Sequence, residues 1–269
     1  MTNILIIDND ECLGYFGLIN GIYNNCINSL YQHSLNNIDI LDKFQKIFID
    51  FSVELLKAGY ARNYLDIFFE KIKSLKSNNI IHKVVMMTSN KRYIKKNYKG
   101  YFDWIIMLKL IFENYSNKNE SFQNISIYDL DYSCINDEVL NKTDVIKKKK
   151  VSKIIEQLNI IEYFSINKIV FIDDKINYID IDDIFEYVRV ILLPVRSYFC
   201  IISKTVFYSI ICKYCPLFTD LNIISFKDAC ILNYNHDKIE MGSQSNNFYT
   251  NLKNDADLNI DLEKIFKCE

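Results

Sequence analysis

The chain reads as an α/β protein, a parallel sheet with helices on both faces. Short apolar runs at residues 4–7, 84–87 and 169–172 each stop abruptly at a polar residue. Between them lie longer stretches whose apolar residues recur at three- and four-residue steps, the period of a helix with one buried face. Strands that alternate with such helices favour a parallel sheet, because a parallel connection needs a crossover long enough to hold a helix.

Each element follows from its local pattern. Residues 3–8 read as a buried strand with a sharp polar end. From Tyr15 to about Gly59 the spacing is helical, carried by Leu41, Phe44, Ile47, Phe48, Phe51 and Leu55. A second amphipathic helix runs from Tyr64 to Ile72 and leads through the polar turn Ser77-Asn78-Asn79 to a strand over 82–87. That strand ends in Thr88-Ser89-Asn90. A helix is expected over 102–112 with Trp104 on its inner face, then a polar loop at 116–120 and a short strand near 125–128. The lysine run 147–150 precedes a helix expected over 151–158, and strands at 169–172 and 187–193 complete the alternation. From about Ser197 the pattern is less periodic, and 242–259 is rich in Gly, Ser, Asn and Asp, the composition of a loop or disordered tail. The expected organisation is a core domain over 1–195, with a helical insertion at about 15–60, then a helical extension and partly flexible tail over 196–269.

Bulk properties narrow the function classes. With 49% hydrophobic residues in 269, the chain has material for a substantial core. A net charge of −2 supplies no general attraction to nucleic acid. Only a local patch such as Lys147–Lys150 would do so, and a lysine run of that kind is ordinarily a solvated loop. The first strand begins almost at Met1, so no leader is expected. The apolar stretches 188–195 and 199–212 are too short for a bilayer, the second interrupted by Lys204. A soluble, intracellular protein, cytoplasmic or nuclear, with no membrane partner is the expectation. The eight cysteines are irregularly spaced, which favours reduced thiols. Cys212 and Cys215 have the spacing of half a zinc site, but without a second pair or a nearby histidine they read as core thiols.

The chemically informative residues stand at the polar ends of the strands. Asp8 and Asp10 follow the first apolar run, and Asp173-Asp174 follow the run at 169–172. Polar residues at the carboxyl ends of parallel strands face the ligand crevice, so these carboxylates are candidates for one shared site. Crowded carboxylates need a counter-charge, and a hard divalent cation supplies it. With Thr88 and a lysine near 150, the set has the parts for breaking a phosphoester. One carboxylate attacks phosphorus, another shuttles the proton, and a hydroxyl and an ammonium hold the phosphoryl oxygens.

The same four elements, in this order, resemble the haloacid dehalogenase superfamily. Its first motif, a hydrophobic strand ending in Asp-x-Asp, is matched by Ile4-Leu-Ile-Ile-Asp8-Asn-Asp10, and its second, a strand ending in Thr or Ser, by Val84-Val-Met-Met-Thr88. Its third, a lysine opening a helix, is matched by Lys150, with Lys147, Lys149 and Lys153 as alternatives. Its fourth, a strand ending in acidic residues, is matched by Ile169-Val-Phe-Ile-Asp173-Asp174. Within the superfamily the chain is most similar to the branch containing the phosphatases of the RNA polymerase II C-terminal domain. That branch carries Asp-x-Asp-Glu-Thr-Leu against Asp8-Asn-Asp-Glu-Cys-Leu13 here, so Cys12 stands where it has threonine. Its Arg-Pro-Gly-Leu-x-x-Phe-Leu segment is echoed, without the Pro-Gly, by Arg62-Asn-Tyr-Leu-Asp-Ile-Phe-Phe69.

The resemblance implies a Rossmann-like fold and a Mg²⁺-dependent phosphatase working through an aspartyl-phosphate. Asp8 would be nucleophile and metal ligand, and Asp10 the general acid and base that also offers its backbone carbonyl to Mg²⁺. Thr88 and Lys150 would bind the phosphoryl group. Asp173 would ligate the metal directly, with Asp174 ligating through water or orienting it. The substrate would be a phosphorylated molecule, with a mild preference for a phosphoprotein or a nucleic-acid end. The helical stretch at 15–60 could form a small cap or a lid. Two alternatives stay open: a non-catalytic binding module on the same fold, and phosphotransfer or dehalogenation at the same site.

Overall fold

The computed structural model describes residues 2–8, 12–33, 37–88, 104–116, 126–129, 149–151, 155, 165–174, 176, 179–181, 188–198, 202–244 and 260–267. Asp10, Lys147, Lys153, the loop at 117–120 and most of the helix expected over 151–158 lie outside them.

Seven strands are described: β1 (Thr2–Asp8), β2 (Lys83–Thr88), β3 (Ser126–Asp129), β4 (Lys149–Lys150), β5 (Ile166–Asp173), β6 (Ile179–Asp180) and β7 (Arg189–Pro194). Five form one sheet in the order β3-β2-β1-β5-β7, and every pairing in it is parallel. The two-residue strands β4 and β6 pair separately. Lys149 and Lys150 are thus strand residues, with Val151, the next residue, already helical.

Side chains alternate across each central strand, as the pleat requires. Leu5, Ile7, Val84, Met86, Val170 and Ile172 enter one core, whereas Ile4, Ile6, Val85, Met87, Ile169 and Phe171 enter another on the opposite face. Both faces are covered, so these strands are unbroken apolar runs rather than alternating ones. The result is a Rossmann-like parallel α/β architecture.

One face is covered by α1 (Gly17–His33), α2 (Ile38–Leu55), α3 (Leu65–Ser77), α4 (Trp104–Ser116), α5 (Lys204–Thr219) and α6 (Phe226–Gln244). The stretch read from sequence as helical holds two helices, α1 and α2. α2 starts at Asn37, whose side-chain oxygen accepts from the Asp39 and Ile40 amides at 3.1 and 3.4 Å, a standard N-cap. Its apolar face, Leu41, Phe44, Phe48, Phe51 and Leu55, is fully buried, each side chain contributing about 1.5–3 kcal/mol. The helix ends in a wide turn over Leu56–Tyr60, where Gly59 has φ 132°, a value side-chain-bearing residues rarely adopt. These helices pack within the main core, sharing it with Leu5 and Ile7 of the sheet. The described part of the insertion is therefore a structural layer.

The C-terminal helices belong to the same core. Tyr214, Phe218 and Phe226 pack against the rings of α2, and Phe51 meets Phe226 at 5.2 Å between centroids. α6 runs to Gln244, so the tail expected from residue 242 begins in a helix, and 245–259 lie outside the described residues. A short final helix, α7 (Leu262–Lys267), is held by the buried Lys168 of β5, which donates to the Ile265 and Phe266 carbonyls at 2.9 and 3.3 Å. Among the described residues no helix is long and apolar enough to cross a membrane. Cys12, Cys26, Cys212, Cys215 and Cys230 are free thiols. Cys212, expected in the core, is exposed, because α5 buries the face carrying Phe207, Ile210, Ile211, Tyr214 and Phe218.

Candidate functional site

Strand order locates the crevice. The chain steps from β1 to β2 and β3 on one side, then returns to β5 and β7 on the other. The reversal falls between β1 and β5, and in open parallel sheets ligands bind beyond the carboxyl ends of the strands at that point. Asp8 closes β1 and Asp173 closes β5. Ile7 and Ile172, immediately before them, are paired in register. The first-strand aspartate and the Asp173-Asp174 pair are thus neighbours across the switch point.

The contacts sort the two aspartates of that pair. Asp173 is fully buried, and its carbonyl accepts from the Val195 amide at 3.1 Å. Asp174, one residue further and half-buried, turns its carboxylate toward the loop after β1. There an oxygen of Asp8, an oxygen of Asp174 and Cys12 Sγ all lie within 4.8 Å of one another. Asp8 is itself buried, with 5% exposure. Among the described residues, the carboxylate grouped with Asp8 and Cys12 is thus Asp174, the residue to which the resemblance gave the indirect role.

Cys12 defines the electrostatics. Its thiol is fully buried and lies 3.9 Å from Asp174 Oδ1. Burial pushes the thiol far above its ordinary ionisation range, and the charges of Asp8, Asp174 and Asp173 push it further. Both effects favour the protonated thiol, a weak donor to carboxylate, over a thiolate nucleophile. The other Asp174 oxygen accepts from Ser197 Oγ at 2.6 Å.

Two backbone segments hold this arrangement. Residues 13–15 run antiparallel to 60–62, with Tyr15 N donating to Tyr60 O at 2.8 Å and Arg62 N to Leu13 O at 2.9 Å. Gly14 is required at the crossing, since a Cβ there would stand 2.5 Å from the Tyr60 carbonyl oxygen. The buried Arg62 then reaches back, its Nε donating to Cys12 O at 2.7 Å and its Nη2 donating to Arg196 O. Its guanidinium lies 5.1 Å from the ring centre of Tyr198, whose hydroxyl donates to Gly59 O at 2.8 Å.

Of the residues expected from sequence, Asp8, Asp173 and Asp174 share this end of the sheet. Thr88 is the last residue of β2, at the same edge, and Lys150 lies in β4 paired with Asp180; their side chains lie outside the described residues. Asp10 is also outside them. Sequence reasoning gave no site role to Arg62, Ser197 or Tyr198. Arg62 had a visible signal, as the first residue of the segment compared with the polymerase-tail phosphatases. Ser197 and Tyr198 had only the polar break after the apolar run of β7.

The donor set suits a hard divalent cation of the kind that takes one or two protein carboxylates and fills its remaining positions with water and phosphate oxygen. Asp8 and Asp174 offer those carboxylates, whereas a protonated thiol is a poor ligand for such an ion. A concavity of about 480 Å³ between α1 and α6, lined by Asn25, Ser225, Asp228 and Leu232 among others, contains none of these residues. No protein-family model, curated protein or solved structure matches the chain.

Proposed function

We propose that the protein is a Mg²⁺-dependent phosphohydrolase of the haloacid dehalogenase type. The observation that carries this reading is the meeting of Asp8 and Asp174 at the switch point between β1 and β5, the location a ligand crevice takes in such a sheet. The ordered motifs ending in Asp8, Thr88 and Asp173-Asp174 support it independently.

In this reading an Asp8 oxygen attacks phosphorus while the phosphorus–oxygen bond to the leaving group breaks, giving an aspartyl-phosphate. Asp10 donates a proton to the departing oxygen, then takes one from the water that attacks phosphorus and releases phosphate and free Asp8. Thr88 and Lys150 hold the phosphoryl oxygens. Asp8 and Asp174 would hold Mg²⁺, with Asp173 and the backbone carbonyl of Asp10 as the further ligands the resemblance implies. The bound ion would offset the repulsion between an anionic nucleophile and an anionic substrate. The neutral Cys12 adds no further charge to a site that must accept a phosphate dianion. The packing of the described 15–60 helices into the core fits a mild preference for a phosphoprotein or a phosphorylated nucleic-acid end as substrate.

A second reading is a binding module without turnover. It is favoured by Cys12, whose thiol occupies a position among the carboxylates and hydrogen-bonds one of them. A single screen separates the two. Full-length protein is assayed with Mg²⁺ and with chelator against an aryl phosphate, phosphopeptides and 3′- or 5′-phosphorylated oligonucleotides. Hydrolysis that disappears on chelation supports the enzyme; absence of turnover on every substrate would leave the binding module.

A further inference from the structure

We propose that Arg62 is a positioning residue that, with Ser197, fixes the Asp174 carboxylate toward Asp8 and so sets the strength of the cation site. The inference rests on the reading of Asp8 and Asp174 as cation ligands, and it adds the segment after β7 as a third wall of that site.

The contacts form a closed circuit around one guanidinium. Asp174 has each carboxylate oxygen held by a different donor, Oδ1 by the Cys12 thiol at 3.9 Å and Oδ2 by the Ser197 hydroxyl at 2.6 Å. These donors come from chain segments far apart in sequence, the loop after β1 and the segment after β7. Arg62 grips both segments at the backbone. Its Nε donates to the carbonyl of Cys12 itself, and its Nη2 donates to the carbonyl of Arg196, the residue before Ser197. These two donors to Asp174 are therefore both tied, through their backbone segments, to one rigid, planar fork.

The surroundings keep that fork in place. Arg62 is 3% exposed, its amide is bonded to Leu13 O, and its guanidinium rests against the Tyr198 ring. Tyr198 is tied in turn to Gly59 O through its hydroxyl. On the far side the Val195 amide bonds Asp173 O, so the wall is anchored to β5 as well. A buried cation is a costly way to join two loops. Lysine would be a poor substitute, because a single ammonium on a flexible stem cannot reproduce two donors in fixed geometry.

The test reads cation binding directly, not turnover alone. Full-length wild type, Arg62→Lys, Ser197→Ala, Asp8→Asn and Asp174→Asn are titrated with Mn²⁺, followed by the electron paramagnetic resonance of the free ion, and with Mg²⁺ by calorimetry. Circular dichroism sets a temperature at which each variant is folded. Removing a group that orients a ligand typically costs 10- to 100-fold in metal affinity, so Arg62→Lys and Ser197→Ala should weaken binding by about 10-fold or more. Ser197 is exposed, so Ser197→Ala should do this with an unchanged thermal midpoint. The double variant should bind little worse than Arg62→Lys alone, because both act on one carboxylate. Wild-type affinity in both single variants, or a loss that tracks only thermal stability, overturns the positioning role. If wild type binds no divalent cation, or if Asp8→Asn and Asp174→Asn bind like wild type, the cation site itself is wrong and the inference falls with it. That failure shows without any Arg62 variant, so the two are distinguishable.

Discussion

Cys12 illustrates how one side chain's surroundings decide its chemistry. A thiol near aspartates could act as nucleophile, ligand or filler, and its burial with three carboxylates around it leaves it protonated. Cys26 and Cys230 are fully buried too, and burial raises both thiols above their ordinary range. Cys212, by contrast, is exposed on α5. Treatment of the native protein with iodoacetamide at mildly alkaline pH should therefore modify Cys212 while sparing Cys12, Cys26 and Cys230, as read by peptide mass spectrometry. Modification of Cys12 as fast as Cys212 would mean that the thiol is not enclosed among the carboxylates. The same reasoning separates Asp173 from Asp174. The two are adjacent in sequence, yet one is fully buried with its carbonyl bonded by the Val195 amide, and the other reaches Cys12 and Ser197.

At the scale of elements, the site depends on a crossing of two backbone segments that neither forms alone. Residues 13–15 and 60–62 pair directly at Gly14 and Ala61, and Arg62 continues from that crossing to Cys12 and Arg196. The lack of a side chain at Gly14 is what allows the approach, since the Tyr60 carbonyl oxygen would meet its Cβ. Gly14→Ala should push the segments apart. The expected cost is about 1–3 kcal/mol of stability, the usual penalty for overpacking a filled interior. Cation affinity should fall with it, because Cys12 lies two residues away. Denaturant unfolding and the Mn²⁺ titration measure the two effects, and a fully stable Gly14→Ala protein with unaltered affinity would show that the crossing does not support the site. Tyr64, two residues past Arg62, takes a left-handed conformation with φ 62° before α3 begins. Such a value is uncommon for a bulky residue, so the chain bends sharply where it leaves the site.

Across the whole molecule, one sheet with two apolar faces gathers the strand ends and leaves the polar chemistry at its carboxyl edge. Much of this was legible in the sequence, because a strand buried on both faces must be an unbroken apolar run and its polar end must mark the crevice. Residues 4–8, 83–88 and 166–173 follow that logic to within a few positions. Where the helical stretch at 15–60 divides was not legible, since the mainly aliphatic face of α1 and the phenylalanine-rich face of α2 both recur at helical spacing. The third wall of the site was also hidden, because Arg62 and Ser197 are 135 positions apart and Arg62 reaches that segment through the Arg196 carbonyl and the Tyr198 ring. The core makes a further prediction about pH. Cys26 and Cys230 ionise with difficulty when folded, so the unfolded chain loses those protons first as pH rises. Their contribution is complete below the ordinary thiol value of 9.0. It is lost above that value at about 1.4 kcal/mol per pH unit for each thiol. Urea unfolding from pH 7 to 11 should show this decline, lessened in Cys26→Ala compared at its own neutral-pH stability; a flat profile would contradict it. The central claim, that Asp8 is the nucleophile of a cation-dependent phosphohydrolase, is tested most directly by the rate of phosphoester hydrolysis in Mg²⁺ for wild type and Asp8→Asn. The account predicts turnover in wild type and a loss of roughly 10³-fold or more in the variant, as expected when an essential nucleophile is removed; hydrolysis that survives Asp8→Asn would contradict it.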